Sequence, residues 1–280
     1  MRLDEDYLRE LELWPMFAPK FAGAASTCPD RVASRESVPP VADSAVPHAV
    51  AVATSAVAPR AAPVSRRKVV PAQAKAAPPA VTVDPARAAH IAVLDWVGLN
   101  RETTACTACG LCKQRKQAVL GVGAIDASWL FVGEGPGADE DAQGEPFVGQ
   151  AGKLLDAMLG AAGLARGREV YIANVVKCRP PGNRTPLIDE ALACAPFLDR
   201  QIELINPKLI VALGKTAVMR LTGSDASMAS LRGQLHLYRG IPVVATYHPA
   251  YLLRNLPEKL KAWEDLVLAR KTMASIVAKT

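Results

Sequence analysis

The feature that most constrains this chain is a long stretch without large apolar side chains. Residues 24–90 contain no Leu, Ile, Phe, Tyr or Trp. Such a segment cannot bury enough apolar surface to offset the entropy that folding removes. Its richness in Ala, Pro, Val and Ser is typical of an extended tether. We therefore expect a disordered linker over residues 24–84 and one folded domain over residues 85–280, which is a common domain size.

A short cluster of large apolar side chains precedes this linker, in residues 1–23. Tyr7, Leu8, Leu11 and Trp14 recur at helical spacing, which predicts a short helix. Part of this segment weakly resembles the peptides that bind the bacterial sliding clamp, so a replication or repair protein is one partner to consider. A helix that packs on the domain is the simpler interpretation, because such short patterns often arise by chance.

The charge and hydropathy of the chain exclude some classes of protein. The 280 residues carry a formal net charge of +6, which is compatible with a polyanion such as DNA and equally with ordinary solvated charge. No apolar run approaches the ~20 residues of a membrane span, and the acidic start is unlike a signal peptide. We expect a cytoplasmic, nucleoid-associated monomer with no membrane contact.

Strands and helices alternate through the predicted domain, which indicates an α/β fold with a largely parallel sheet. A first helix is expected from Asp84-Pro85 through Gly98, and a last one from Pro257 to about Ala278. The other predicted elements are strands at residues 128–132, 169–176 and 209–213, helices at 151–162, 187–205 and from 214 onward, and a hairpin of 234–238 with 241–245.

Cysteine is the residue type that most clearly suggests chemistry. The chain holds six cysteines, and in a cytoplasmic protein these indicate a metal or catalysis rather than disulfides. Only Cys28 lies in the linker, and we regard it as incidental. Cys106 and Cys109 are separated by two residues, a spacing that lets two thiolates bind one metal centre.

Three interpretations of the cysteines compete. A zinc site and a [4Fe–4S] cluster, each bound by Cys106, Cys109, Cys178 and Cys194, are not separated by spacing alone. A ferredoxin-type run would continue through Cys112, but the position of its fourth cysteine holds a lysine. In the first two interpretations Cys112 is a spare, small apolar residue.

A glycine-rich turn follows the first long predicted strand. Gly133 and Gly135 belong to the run Gly-Glu-Gly-Pro-Gly, in which the backbone can approach a ligand closely. The run is not a P-loop, because no Gly-Lys-Ser/Thr follows it. A dinucleotide-binding turn is also disfavoured, because the sequence predicts an acidic loop over residues 139–141 rather than a helix.

Four motifs in order give a more specific signal: Gly-Glu-Gly-Pro-Gly at 133–137, Gly-Glu-Pro-Phe-Val-Gly-Gln-Ala-Gly at 144–152, Asn-Val-Val-Lys-Cys-Arg-Pro-Pro at 174–181, and His-Pro-Ala-Tyr-Leu-Leu-Arg at 248–254. Together they resemble the family 4 uracil-DNA glycosylases, the iron–sulfur class of bacteria and archaea, over about residues 100–275. The resemblance implies a three-layer α/β/α domain with a small parallel sheet. It also implies a structural [4Fe–4S] cluster and hydrolysis of uracil from DNA in base excision repair, which leaves an abasic site.

The resemblance also implies roles for individual residues in the pocket. Phe147 would stack on the extruded base, and base–aromatic stacking contributes ~1–3 kcal/mol. Asn174 would accept from uracil N3–H and donate to O4, a pattern that cytosine does not match. His248 would donate to O2 as negative charge develops on the leaving base.

The residue that activates water is not settled by the motifs. Other glycosylase families carry Asp or Asn at the position that Gly135 appears to match here. Glu134 and Glu140 are the two candidates, and we assign the catalytic role to Glu134. Glu140 would instead shape the substrate pocket beside Gly133.

Contacts to the DNA backbone are expected from groups that do not read sequence. The start of the helix near Gln150 and the Gly-Lys-Thr that includes Lys215 both suit a phosphate. Tyr251, Leu252, Leu253 and Arg254 would form a wedge and clamp on the duplex, although leucines at these positions could equally belong to the core. Three further basic residues, Lys177, Arg179 and Arg184, would add positive potential near the cluster.

Two other classes of function remain open at this stage. An iron–sulfur redox or electron-transfer protein would account for the cysteines but not for Asn174 and His248 in their motifs. A non-catalytic relative that binds uracil-DNA is the second alternative. The relative that traps DNA covalently uses a histidine in a basic insert, and residues 178–184 contain no histidine.

Overall fold

A computed structural model describes residues 84–278 of the chain. The predicted segment at residues 1–23 and almost all of the predicted linker lie outside the described residues. Within residues 84–278, no helix is long and apolar enough to cross a membrane.

The described residues form a six-stranded sheet in the order β1-β3-β2-β4-β6-β5. Its strands are β1 (Val122–Gly123), β2 (Trp129–Gly133), β3 (Val170–Asn174), β4 (Leu209–Leu213), β5 (Leu235–Tyr238) and β6 (Ile241–Thr246). Neighbours among β3, β2, β4 and β6 are parallel, and the edge strands β1 and β5 are antiparallel. The carboxyl ends of four strands therefore meet along one edge of the sheet.

Helices connect the strands. They are α1 (Pro85–Ala92), α2 (Trp96–Ala105), α3 (Ala138–Gln143), α4 (Gln150–Ala161), α5 (Ile188–Ile205), α6 (Lys215–Thr222), α7 (Met228–Leu231), α8 (Pro249–Arg254) and α9 (Lys259–Val277). Single 3₁₀ turns occur at Gly110–Lys113, Pro181–Asn183 and Leu256–Glu258.

The sheet is covered on both faces, which explains its apolar strands. Every residue of β2, β3 and β4 is buried, as expected for parallel strands between two helical layers. Alternate residues such as Leu130 and Ile210 pack in one cluster with α1, α2, α5 and α6. Helix α9 packs against β4 and β6, and α4 packs against α8. The predicted α/β class, with a mainly parallel sheet between helical layers, is confirmed.

Three local predictions were wrong, and in two of them a side-chain carboxylate caps a helix. The first predicted helix is two, because the Asp95 carboxylate accepts from the Gly98 N–H at 2.8 Å and caps α2. The predicted acidic loop is helix α3, because the Glu140 carboxylate accepts from the Gly137 N–H at 3.0 Å. The last helix begins at Lys259 rather than at Pro257, which lies in a 3₁₀ turn.

Candidate active site and cysteine chamber

A cleft of about 550 Å³ opens at the carboxyl ends of the parallel strands. We call it the strand-end cleft; it is lined by residues that follow β2, β3, β4 and β6, including Glu134, Asn174, Lys215 and His248. Ligands of open α/β sheets bind in such clefts, because loops from several strands converge there. The cleft is therefore the candidate active site.

Asn174 presents an unpaired acceptor at this cleft. Its side chain is buried, and its Oδ1 has no hydrogen-bond partner among the described residues. A buried carbonyl oxygen without a partner costs free energy unless a ligand donates to it. Gly133 lies beside it in register, and a Cβ there would lie 2.4 Å from Oδ1 and 2.6 Å from Cζ of Phe147. Glycine at this position thus allows both side chains to reach the cleft.

Phe147 is held in a constrained conformation. Its φ is 57°, in the left-handed region that side chains rarely adopt. Arg166 Nη2 donates to the Phe147 carbonyl at 2.8 Å, and a Cβ on Gly152 would lie only 1.7 Å from that carbonyl oxygen. The ring centroid lies 5.4 Å from that of His248, with the rings 29° from parallel. The surrounding contacts therefore fix an aromatic face at the cleft.

His248 is a neutral hydrogen-bond donor at neutral pH. It caps α8, and its Nδ1 accepts from the Ala250 N–H at 3.1 Å. The proton of the neutral ring is consequently on Nε2, which is left for a ligand. Burial, followed by the charge of Arg254, lowers the pKa of His248 to about 4.

The two glutamates differ in what their oxygens already bind. The Glu140 carboxylate accepts from the backbone N–H groups of Gly137, Val148 and Gly149 at 3.0, 3.0 and 3.1 Å. It therefore closes the loop that carries Phe147. Glu134 accepts from the Thr216 hydroxyl through Oε2 alone, which leaves Oε1 for another donor at the cleft.

Gly135 also lines the cleft, and close packing explains why this position is a glycine. A Cβ on Gly135 would lie 2.6 Å from Cγ2 of Val176. A side chain at this position would therefore collide with the segment that follows β3.

The five cysteines of the domain lie around a second, small cavity. Cys106, Cys109, Cys112, Cys178 and Cys194 line it together with Arg115 and Lys177. We call it the cysteine chamber. Cys178 lies beyond the end of β3, and Cys194 lies in α5. The chain thus brings together the two pairs that are distant in sequence.

The sulfurs of the chamber receive hydrogen bonds from three N–H groups. Arg115 Nη1 donates to Cys178 Sγ at 2.9 Å, and the Lys177 backbone N–H donates to Cys194 Sγ at 3.2 Å. Arg87 Nη2 donates to a third sulfur, that of Cys106, at 3.5 Å. Donors aimed at sulfur are the environment in which metal-bound thiolates are found.

Burial disfavours the ionised form of these thiols. Burial raises the pKa of Cys194 to about 12, and it raises the pKa of Cys109 and Cys178 as well. Such thiols become thiolates only where a metal compensates the charge. Within residues 84–278, no three His, Cys, Asp or Glu side chains converge as a site for one metal ion. In a four-iron cluster each thiolate binds its own iron, so cysteines around one small cavity can hold such a group without meeting at a single ion.

Comparison with known proteins shows the family of this chain. A family model of the uracil DNA glycosylase superfamily matches residues 120–267. The chain belongs to this superfamily. A type-4 uracil-DNA glycosylase of Thermotoga maritima is 50% identical over 169 residues, which cover 59% of this chain and 88% of that protein.

Two archaeal relatives agree with this assignment. The type-4 uracil-DNA glycosylase of Saccharolobus solfataricus is 42% identical over 183 residues, which cover 62% of this chain and 84% of the relative. That of Pyrobaculum aerophilum is 44% identical over 183 residues, with 62% and 93% covered. The predicted resemblance to family 4 of the uracil-DNA glycosylases is confirmed.

In this uracil-DNA glycosylase homologue, the residues predicted for the duplex-facing surface have mixed surroundings. Gln150, Tyr251 and Arg254 are exposed beside the cleft. Lys215 forms an ion pair with Asp225 at 3.0 Å. These four side chains remain predicted DNA contacts.

Leu252 is not available for the wedge that the sequence predicted. It is 1% exposed, because its face of the short helix α8 turns inward, where α8 packs against α4. The neighbouring Leu253, predicted with it, is 42% exposed and remains the candidate wedge. The motif could not separate the two, since adjacent leucines carry the same hydropathy.

The basic residues predicted to add positive potential near the cluster have different surroundings. Lys177 is 1% exposed, so it lies inside the domain rather than on its surface. Arg184 donates to both carboxylate oxygens of Glu190 at 2.8 and 2.6 Å, which neutralises much of its charge. Arg166, Thr216 and Gln201, which hold Phe147, Glu134 and Lys177, were missed because no motif marks a supporting residue.

Proposed function

We propose that this protein is a DNA repair glycosylase that hydrolyses the N-glycosidic bond of uracil in DNA and leaves an abasic site. The observation that carries the proposal is the unpaired Oδ1 of Asn174, buried at a cleft whose other wall holds Phe147 and neutral His248. This acceptor, aromatic face and N–H donor match the edge and face of one uracil base.

Recognition of the base begins with its extrusion from the duplex, which costs a few kcal/mol of unstacking. Phe147 supplies a stacking face that recovers part of this cost. Asn174 accepts from uracil N3–H through Oδ1 and donates to O4 through Nδ2. Cytosine offers an acceptor at N3 and a donor at N4, so the same amide disfavours it.

Bond cleavage places negative charge on the departing base. The Nε2–H of His248 donates to uracil O2 and stabilises that charge in the transition state. Because the ring is neutral, the base leaves as an anion stabilised by a dipole rather than by a full positive charge. Glu134 orients water towards C1′ of the sugar, or stabilises the cationic sugar, through the oxygen that Thr216 does not occupy.

The cysteine chamber is proposed to hold a [4Fe–4S] cluster through Cys106, Cys109, Cys178 and Cys194. The group would be structural, because it ties the segment after β3 to α2 and α5. Cys112 lines the same chamber as a fifth cysteine without a required bond to iron. The fit is supported by four cysteines that line one small cavity, with N–H donors directed at three of their sulfurs.

Binding of uracil-containing DNA would use the exposed residues around the cleft, Gln150, Lys215, Tyr251, Leu253 and Arg254. The helix start at Gln150 and the basic side chains suit phosphates, which carry no base identity. With a substrate of this kind the protein would act at the nucleoid, and a monomer is the state proposed from sequence. A replication or repair partner for residues 1–23 remains a proposal from sequence.

The test is single-turnover incubation with an oligonucleotide that contains one uracil, followed by alkaline strand scission. The wild-type protein is expected to yield an abasic site from this oligonucleotide. The Asn174→Ala variant is expected to yield none, and so is the wild-type protein when the oligonucleotide contains thymine instead of uracil. A folded, brown protein that leaves uracil in place would contradict the proposal and favour a redox protein or a non-catalytic binder. A colourless protein that contains zinc would contradict the cluster.

A further inference from the structure

Lys177 is a buried cationic side chain that the proposed chemistry does not use. It is 1% exposed, although lysine is almost never fully buried without a partner of opposite charge. Its position in the chain lies between Asn174, which lines the strand-end cleft, and Cys178, which lines the cysteine chamber.

The side chain of Lys177 binds two acceptors, neither of which is a carboxylate. Its Nζ donates to the backbone carbonyl of Asn174 at 2.8 Å and to Oε1 of Gln201 at 2.5 Å. Gln201 is fully buried, and its Nε2 donates to the Leu120 carbonyl at 3.0 Å and to the Tyr171 hydroxyl at 3.2 Å. The lysine is thereby held between β3 and α5 in a network that rigid elements support.

The backbone of the same residue faces the chamber. Its N–H donates to Cys194 Sγ at 3.2 Å, and its carbonyl accepts from the Val119 N–H at 2.8 Å. The peptide of Lys177 is therefore tied to one of the four proposed cysteine ligands. One residue contacts both the wall of the chamber and the peptide of the base-reading residue.

We propose that Lys177 is a positioning residue: anchored at the cysteine chamber, it fixes the peptide of Asn174 and so aims its amide at uracil. The inference rests on the proposed function. The bond from Nζ to the Asn174 carbonyl closes a loop of four residues and restrains the peptide from which the Asn174 side chain projects. Loss of this bond frees the peptide of Asn174, so base binding is expected to weaken by about tenfold, equal to about 1.4 kcal/mol.

The experiment compares Lys177→Met, which keeps the volume and removes the donors, with Lys177→Arg and with Lys208→Met at an exposed lysine. Cluster content is read from visible absorbance and iron analysis. The inhibition constant of free uracil is measured alongside the dissociation constant of uracil-free duplex. Free uracil probes the pocket, whereas the uracil-free duplex probes only the outer surface.

Lys177→Met is expected to keep its cluster and its affinity for uracil-free duplex, while its inhibition constant for uracil rises about tenfold. Lys177→Arg should recover part of that loss, and Lys208→Met should match the wild type. A brown Lys177→Met protein with the wild-type inhibition constant would overturn the inference.

Gln201→Met is the second variant, in case Lys177→Met does not fold. It removes one of the two acceptors that hold Nζ, so it should raise the inhibition constant by a smaller factor, about threefold, equal to less than 1 kcal/mol. An unchanged constant in that variant would also overturn the inference. A wild-type protein that leaves uracil-DNA intact would instead defeat the proposed function itself.

Discussion

The strand-end cleft and the cysteine chamber are neighbours along the chain, yet their polar atoms are used in opposite ways. In the cleft, Asn174 Oδ1 has no partner among the described residues, and His248 keeps Nε2 for a ligand. In the chamber, the sulfurs of Cys106, Cys178 and Cys194 each accept an N–H. The hydrogen-bonding groups of the chamber are thus occupied by contacts within the domain, whereas those of the cleft remain available to a substrate.

The largest expected effect is on the chamber, through Cys178→Ala. Losing a proposed ligand should remove the cluster, release the segment after β3 and leave most of the protein insoluble. Cys112→Ala is the matched control, because Cys112 lines the same chamber but is not a proposed ligand. Soluble yield and visible absorbance measure both. Equal loss in the two variants would break the distinction between ligand and spare cysteine.

In the cleft, His248→Ala should lower the single-turnover rate by about 10²–10³-fold, because one preorganised donor to a developing anion is removed. Thermal stability and duplex affinity should change little. His236→Ala is the control, since His236 lies on β5 and bonds the Leu231 carbonyl. A His248→Ala protein that cleaves at the wild-type rate would show that the leaving base is stabilised elsewhere.

Glu134 and Glu140 also differ in this way, since one has an oxygen available to a substrate and the other binds the backbone. Glu134→Gln should slow cleavage by about a hundredfold, the lower range for general acid–base catalysis. Glu140→Gln should instead lower the free energy of unfolding by about 1–3 kcal/mol, because its amide NH₂ would face backbone donors. Single-turnover rates and thermal denaturation separate the two. A reversed result would reassign the catalytic carboxylate.

The adjacent leucines of α8 should also separate into fold and function. Leu253→Ala should weaken duplex affinity about fivefold, roughly 1 kcal/mol for an apolar side chain that is partly exposed in the free protein. Leu252→Ala should destabilise the domain by about 2–5 kcal/mol, as expected for a buried leucine. Binding titrations and thermal melts measure the pair. Equal duplex affinity in both variants would remove the wedge.

The smallest effect is expected from pH between 8 and 5. Because burial lowers the pKa of His248 to about 4, the folded ring stays neutral and its contribution to cleavage should not change. The unfolded ring gains its proton near pH 6.5, so stability falls as pH drops from about 6.5 towards 4. A bend in the rate profile near pH 6.5 that disappears in His248→Ala would contradict the low pKa.

The alternation of apolar strands and helices predicted most of the fold. Strand β4 was predicted with its observed ends, because a run of large apolar residues bounded by Pro-Lys and Gly-Lys has few other structures. Helix α3 was not predicted, because the residue that caps it, Glu140, also binds two N–H groups beyond the helix. Local sequence propensity does not show that one carboxylate binds backbone N–H groups on both sides of the same loop.

The sequence by itself determined the family, the α/β class and the identity of the residues that face the cleft and the chamber, because ordered motifs and cysteine spacings are written in the chain. Only the tertiary structure decided which side chains of each motif are buried, which are exposed and which groups they bind. It placed Leu252 inside, used the oxygens of Glu140 for the backbone, and buried Lys177 between Asn174 and the chamber. The physical reason is that burial and hydrogen-bond partners depend on contacts between segments that are distant in sequence, which no local pattern specifies.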